Sequence, residues 1–141
     1  MTDLEKLVQW LQSYHKWGEM PLSIDYTDTQ PVCAGLYPKG VEQVERREDV
    51  LGNVTVHCRQ SFQLQRLTSG QQNSPLDAQW LMDFQSWVCE QSALGLAPRF
   101  GDEPGMERLR AEKGMLKAAA QTATGTYVVT LIAEYVKHYE P

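Results

Sequence analysis

The most regular pattern in the chain begins at Val54. Val54, Val56, Cys58, Phe62 and Leu64 fall on one side of an extended chain, and Thr55, His57, Arg59, Ser61, Gln63 and Gln65 fall on the other. That two-residue period is the signature of a long antiparallel-type strand with a dry face and a wet face. Its partner is predicted at Val41 to Asp49, because Leu51, Gly52 and Asn53 supply the turn chemistry of a hairpin between them. Toward the start of the chain the period changes. Leu4, Leu7, Val8, Leu11 and Tyr14 recur at helical spacing behind a Thr2 and Glu5 capping pattern, which predicts a helix over about Thr2 to His15. Gly18 and Pro21 close it, and Leu22, Ile24 and Tyr26 then alternate with polar residues as a half-buried strand. Asp28 to Gly40 holds Pro31, Gly35, Pro38 and Gly40 and reads as a loop.

In the second half, the Gly70 to Asn73 stretch reads as a connection, and Ser74 followed by Pro75 opens a helix. Its apolar stripe is Leu76, Trp80, Leu81, Phe84, Trp87 and Val88, and Gly95 and Pro98 stop it. Tyr127 to Tyr139 is rich in β-branched and aromatic residues without polar alternation, which predicts a central strand. Met106 to Ala120 is built from helix formers, yet Gly114 in its middle and a Thr122 to Gly125 turn favour a strand joined to the last one as a hairpin. The expected fold is therefore α+β with two layers. An antiparallel sheet of about five strands is covered by two helices in the order α-β-β-β-α-β-β, within one domain over 1–141.

Composition adds limits to that picture. A chain of 141 residues is one domain long and buries roughly two-thirds of its unfolded surface. Thirteen basic against eighteen acidic residues give a net charge of −5, which argues against free binding to nucleic acid or an anionic membrane surface. The first residues carry Asp3, Glu5 and Lys6 in place of a basic start and an apolar run, so a cytosolic protein is expected. No stretch approaches the roughly 20 apolar residues that span a bilayer. Cys33, Cys58 and Cys89 are odd in number and far apart, and are expected as reduced, mostly buried thiols.

Candidate chemistry is sparse. His15, His57 and His138 have no acidic or cysteine neighbour at ligand spacing, so neither a metal nor a cofactor is expected, and His57 and His138 read as surface residues. Cys58 beside His57 makes a poor dyad, because adjacent strand residues point to opposite faces. Asp102 and Glu103 between Gly101 and Pro104 read as a solvated turn in preference to a paired-carboxylate site. What stands out is mechanical. A strand from Val54 to Leu67 would run about 46 Å at 3.3 Å per residue, whereas a globule of this size is about 37 Å across. Unless a bulge bends it, the hairpin over 41–67 must overhang the body. Its first strand carries Glu42, Glu45, Arg46, Arg47, Glu48 and Asp49, a mixed-charge run suited to selecting a neighbouring subunit. With Leu51 and Val54 near the tip, these are the expected interface residues.

Longer strings carry a resemblance. LSIDYTDTQPVCAGLYPKG (Leu22 to Gly40), REDVLGNVTV (Arg47 to Val56), FQSWVCEQSALGLAPRFGDEP (Phe84 to Pro104) and RLRAEKGMLKAAAQ (Arg108 to Gln121) resemble a family of small proteins encoded in prophages of gut Firmicutes. The likeness extends over almost the whole chain. Members often carry the label chloramphenicol resistance protein, while their setting is the head and tail assembly module of a siphophage. The element order is also similar to that of siphophage tail terminator, tail completion and minor capsid proteins, which assemble as rings at the head–tail junction or the top of the tail. The resemblance implies a non-catalytic virion subunit, made in the bacterial cytoplasm, that partners with copies of itself and with other phage head or tail proteins. An acidic ring of this kind would let DNA pass without sticking. The resistance label implies other chemistry: chloramphenicol acetyltransferases use a histidine base in an HHxxxDG motif, and this chain has neither paired histidines nor that spacing. A small-molecule enzyme and a monomeric regulatory binding module are the alternative classes.

Overall fold

The computed structural model describes residues 1–27, 32–68, 75–117 and 125–141. The expected Ser74 cap, the connection before it, and residues 28–31, 118–120 and 122–124 of the expected loop, strand and turn lie outside that set. Two helices, α1 (Asp3–Gln12) and α2 (Pro75–Ala93), join five strands: β1 (Leu22–Ile24), β2 (Cys33–Glu48), β3 (Val54–Leu67), β4 (Arg108–Lys117) and β5 (Thr126–Tyr139). The strands form one sheet in the order β1-β2-β3-β5-β4. The α+β class and the element order are those read from the pattern.

Three details differ from expectation. First, the sheet is mixed, since β1 runs parallel to β2, with Leu22 opposite Ala34 and Ile24 opposite Leu36. Only Leu22 of that short strand packs against the core, while Ile24 and Tyr26 are exposed. Asp25, at φ 57, breaks the strand, and Tyr26 and Thr27 then lie across Gly35 of β2. A Cβ at Gly35 would collide with the Tyr26 carbonyl oxygen and the Thr27 hydroxyl, so glycine is what lets the backbones approach. Second, β2 begins at Cys33, inside the segment read as a loop, and continues through Pro38 and Gly40. Ala34 N–H donates to Pro21 O and Asp25 N–H donates to Leu36 O, so even-numbered residues there turn their backbone toward β1. Pro38 is next in that series and falls beyond the end of β1, at an open edge where its missing N–H removes no ladder bond. Gly40, at φ 96, sits in a bulge between Pro38 and Val41, and a second bulge lies between Gln43 and Glu45. Third, the 41–67 hairpin is not a ribbon of two strands. β5 pairs with β3 along its entire length, from Leu67 opposite Thr126 to Val54 opposite Tyr139.

Both helices cover the same face of the sheet. Leu36 of β2, Phe62 and Leu64 of β3, Leu109 of β4 and the odd-numbered residues Tyr127 to Tyr135 of β5 form the floor of the core. α1 contributes Leu7, Trp10 and Leu11, followed by Tyr14 and Trp17, and α2 contributes Trp80, Leu81, Phe84 and Val88. Leu76, expected on that stripe, is 81% exposed. Thr2 caps α1 by accepting from Glu5 N–H at 3.2 Å. Between the helices, Phe84 is fully buried, with its ring centroid 5.5 Å from Tyr14, 5.4 Å from Trp80 and 6.0 Å from Trp87. Trp10 stacks on Trp87 at 4.6 Å and donates its indole N–H to Gln91. Arg66 lies over Trp80 at 4.4 Å and pairs with Asp77 at 3.0 Å, fixing the start of α2 to β3.

α2 also closes one edge of the sheet. Leu109 N–H of β4 donates to Ser92 Oγ, and Gln85 Nε2 donates to Ala111 O. The close approach this needs is made at Gly114, where a Cβ would stand 2.6 Å from Gln85 Oε1. Gly114 occupies a bulge between Glu112 and Met115 beside Lys113 at φ 56, so the glycine that complicated the strand prediction is a strand feature.

Candidate functional site

Past Leu36, no strand among the described residues pairs with the outer edge of β2. Every residue from Lys39 to Leu51 is exposed. The structure thus has an arm made of distal β2 backed by the first half of β3 and the last half of β5. Distal β2 is polar on both faces because the sequence alternates charges there with a two-residue period, whereas Val56 of β3 and Tyr135 and Val136 of β5 behind it are buried. Glu45 pairs with Arg47 on the helix-free side, and Arg46 pairs with Glu48 at 3.4 Å on the other. The hydrogen bond from Arg47, reinforced by its charge, holds the Glu45 carboxyl below the usual carboxylate range. Glu42 reaches Arg59 at 3.4 Å. The expected interface residues are therefore brought onto one arm, with most of their charges paired within the chain. Val54 is half-buried opposite Tyr139, and Leu51 is 75% exposed at the tip.

Asp49 builds that tip. Its Oδ1 accepts from Leu51 N–H and Asn53 N–H, each at 2.9 Å, and its Oδ2 accepts from Asn53 Nδ2 at 2.9 Å. The hydrogen bonds from Asn53, first from its side chain, hold the Asp49 carboxyl below its ordinary value. Val50 is fully exposed on the turn so ordered.

On the helix-free face a line of alternating charge crosses four strands. Glu42 of β2, Arg59 of β3, Glu134 of β5, Arg110 of β4 and Glu112 are linked by contacts of 3.2–3.4 Å. Burial works to raise the Glu134 carboxyl, but hydrogen bonds and charge from Arg110 and Arg59 outweigh it and the net shift is downward. This line was not foreseen. Strand alternation puts Arg59 on the wet face, but only the register sets it opposite Glu134.

Asp102 and Glu103, read as a solvated turn, hold the end of β5. Asp102 N–H donates to Val136 O at 2.7 Å, and His138 N–H donates back to Asp102 Oδ2 at 2.7 Å. The His138 ring bonds Thr55 Oγ1 at 3.1 Å through Nδ1 and Glu103 through Nε2. Glu107 fixes the approach to this loop, accepting from Phe100 N–H at 2.9 Å and from Gly101 N–H at 2.7 Å. Chemically, Thr55, His138 and Glu103 form a hydroxyl–imidazole–carboxylate chain, and structurally they tie β3, β5 and the loop together. His57 and Cys58 diverge to opposite faces as expected. Cys58 stands opposite Tyr135 toward the helix layer, where burial raises its thiol pKa. Burial also pushes the Tyr135 hydroxyl up to about 12. Cys33 is buried, whereas Cys89 is exposed, contrary to the expectation of mostly buried thiols.

The hollow beside His57, lined by Val44, Arg59, Met106, Arg108 and Glu134, is about 250 Å³. Among the described residues no group of His, Cys, Asp and Glu is arranged to hold a metal ion, and no helix is long and apolar enough to cross a membrane. No family model and no curated protein matches the chain.

Proposed function

We propose that the chain is a non-catalytic building block of a larger assembly that docks through the arm. We further propose that the assembly is a phage or prophage virion, with this chain as a tail terminator or head–tail joining subunit in a homo-oligomeric ring. The single observation that carries the docking half is the arm itself, an exposed and rigidly tipped piece of sheet with one open edge. A strand that long, exposed from Lys39 onward and unpaired along its outer edge, is surface made for a neighbour. The viral half rests on the resemblance of the four strings quoted above. Partners are then copies of the chain and the other head or tail proteins of its module, met in the bacterial cytoplasm during assembly and retained in the virion.

The test is light scattering over a range of protein and salt concentrations, followed by electron microscopy of the assembled fraction. A discrete oligomer with ring-shaped particles is expected. A monomer at every condition, which also ignores the structural proteins of its module, would sink the proposal. One observation favours a second reading as a hydrolytic enzyme, namely the Thr55–His138–Glu103 chain. Turnover of a chromogenic ester that disappears in His138→Ala, with folding intact, would favour that reading over assembly.

A further inference from the structure

The tip of the arm is an apolar knob whose border carries more acidic than basic side chains. Val50 and Leu51 are 102% and 75% exposed, Tyr139 is 56% exposed nearby in register with Val54, and Pro141 lies beside Gly52. Glu48, Asp49 and Glu140 adjoin them along the chain, Glu48 paired with Arg46 and the Asp49 carboxylate bonded within the turn. The Asp49 hydrogen bonds hold the turn in one shape, so little conformational freedom remains to be lost on docking. Elsewhere on the same chain is a surface of the opposite kind. Between α1 and the segment after α2 runs a groove of about 350 Å³, lined by Met1, Gln9, Trp10, Leu96 and Pro98, with Lys6 on its rim. Leu94 and Leu96 are 63% and 60% exposed beside it, and Arg99 is exposed next to Pro98. Lys6 Nζ donates to the Arg99 backbone oxygen at 3.3 Å and also pairs with Asp3 at 3.5 Å, so the two basic residues at that end of the groove stand with one acidic one. In a chain of net charge −5, an apolar groove whose rim carries more basic than acidic side chains is the local reverse of the average surface.

From this complementarity we infer that the groove between α1 and residues 94–98 is the socket for the tip of a second copy's arm. Val50 and Leu51 seat against Leu96, Pro98 and Trp10, and Glu48 faces Lys6 and Arg99. The inference rests on the assembly reading above and supplies its junction. Knob and socket are different patches of one surface, so the contact is heterologous, and each subunit has one of each free to continue the series until it closes. Apolar contact at the centre with charge at the rim is the arrangement in which a few central side chains carry most of the affinity.

The test uses full-length chains with Leu51→Asp or Leu96→Asp, both at exposed positions, with circular dichroism as the folding control. Leu51→Ser and Leu96→Ser replace them if either aspartate variant loses its fold. Each variant alone is expected to weaken self-association by about 100-fold or more, leaving monomer by light scattering. Mixed in equal amounts they should form a dimer and stop there, because the intact tip of Leu96→Asp still fits the intact groove of Leu51→Asp. Glu48→Lys and Arg99→Glu should each weaken assembly, and combining both changes in one chain should restore it. If wild type assembles and Leu96→Asp assembles equally well, the socket is wrong while the subunit reading survives. If wild type never assembles, the subunit reading fails and the junction fails with it.

Discussion

Glu107 offers a direct test of how the base of the arm is held. Its two carboxylate oxygens accept the backbone N–H groups of Phe100 and Gly101 at 2.9 and 2.7 Å, and Phe100 is 3% exposed. A hydrogen bond to a charged partner contributes about 1.5–3 kcal/mol, and the half-exposed carboxylate puts these two at the low end. Glu107→Ala is thus expected to cost about 3 kcal/mol, because it also leaves a buried amide without an acceptor. Glu107→Gln keeps one acceptor oxygen and is expected to cost about 1 kcal/mol. For a chain of this length, the alanine change lowers Tm by about 9 °C. Urea unfolding followed by far-UV circular dichroism should show a lower midpoint with an unchanged slope. Amide exchange at Asp102 and His138 should quicken as well, because the loop that Glu107 fixes holds the Asp102 N–H on Val136 O and the His138 N–H on the Asp102 carboxylate. An alanine variant within about 0.5 kcal/mol of wild type, a normal range for an uninvolved surface position, would refute the assignment of Glu107 as the anchor of this loop.

Other expectations follow from the same geometry. Phe84→Ala removes a fully buried ring from among Tyr14, Trp80 and Trp87 and should cost about 3–5 kcal/mol with loss of the near-UV tryptophan signal. A loss below about 1 kcal/mol would mean the aromatic cluster is not packed as described. Among alanine changes at Gly35, Gly101, Gly105 and Gly114, denaturant midpoints should rank Gly35 and Gly101 as the most damaging. There the added methyl meets a backbone carbonyl, whereas at Gly114 it meets chiefly the end of the Gln85 side chain, and at Gly105 nothing lies within 4 Å. The Asp49 carboxyl is depressed in the folded state, so its contribution to tip order is complete above its ordinary value of about 3.9 and is lost as pH falls through its lowered one. Amide exchange at Leu51 and Asn53, corrected for its intrinsic pH dependence, should report that loss and should show no such step in Asp49→Ala.

Much of the fold was legible because local pattern and tertiary role agree. The stripe Trp80, Leu81, Phe84 and Val88 is buried, and Phe62 and Leu64 of the alternating strand lie on the core floor. The failures fall where a residue's usual meaning is overridden by its neighbours. Gly35, Pro38 and Gly40 read as loop punctuation, yet one admits the Tyr26 and Thr27 backbone, one occupies an open edge and one forms a bulge. Nothing local says that β1 would pair parallel to β2. The candidate arm was legible as a run of charge and turn residues, but its third strand was not, because the pairing of Val54 with Tyr139 joins residues 85 positions apart. Contacts such as Arg59 with Glu134 and His138 with Glu103 share that origin. A register fixed by the whole sheet creates them, and a window of a few residues does not contain it.

The two sides of the sheet differ in what they permit to grow. On β4, Ser92 and Gln85 occupy backbone groups that an incoming strand would need. On β2, the open edge is interrupted by Pro38 and two bulges. Stacking of sheets into a fibril requires an accepting edge at both ends of every molecule, so strand-by-strand accretion has no second site from which to continue. The chain can therefore carry a long bare strand without offering a template for amyloid-like polymer.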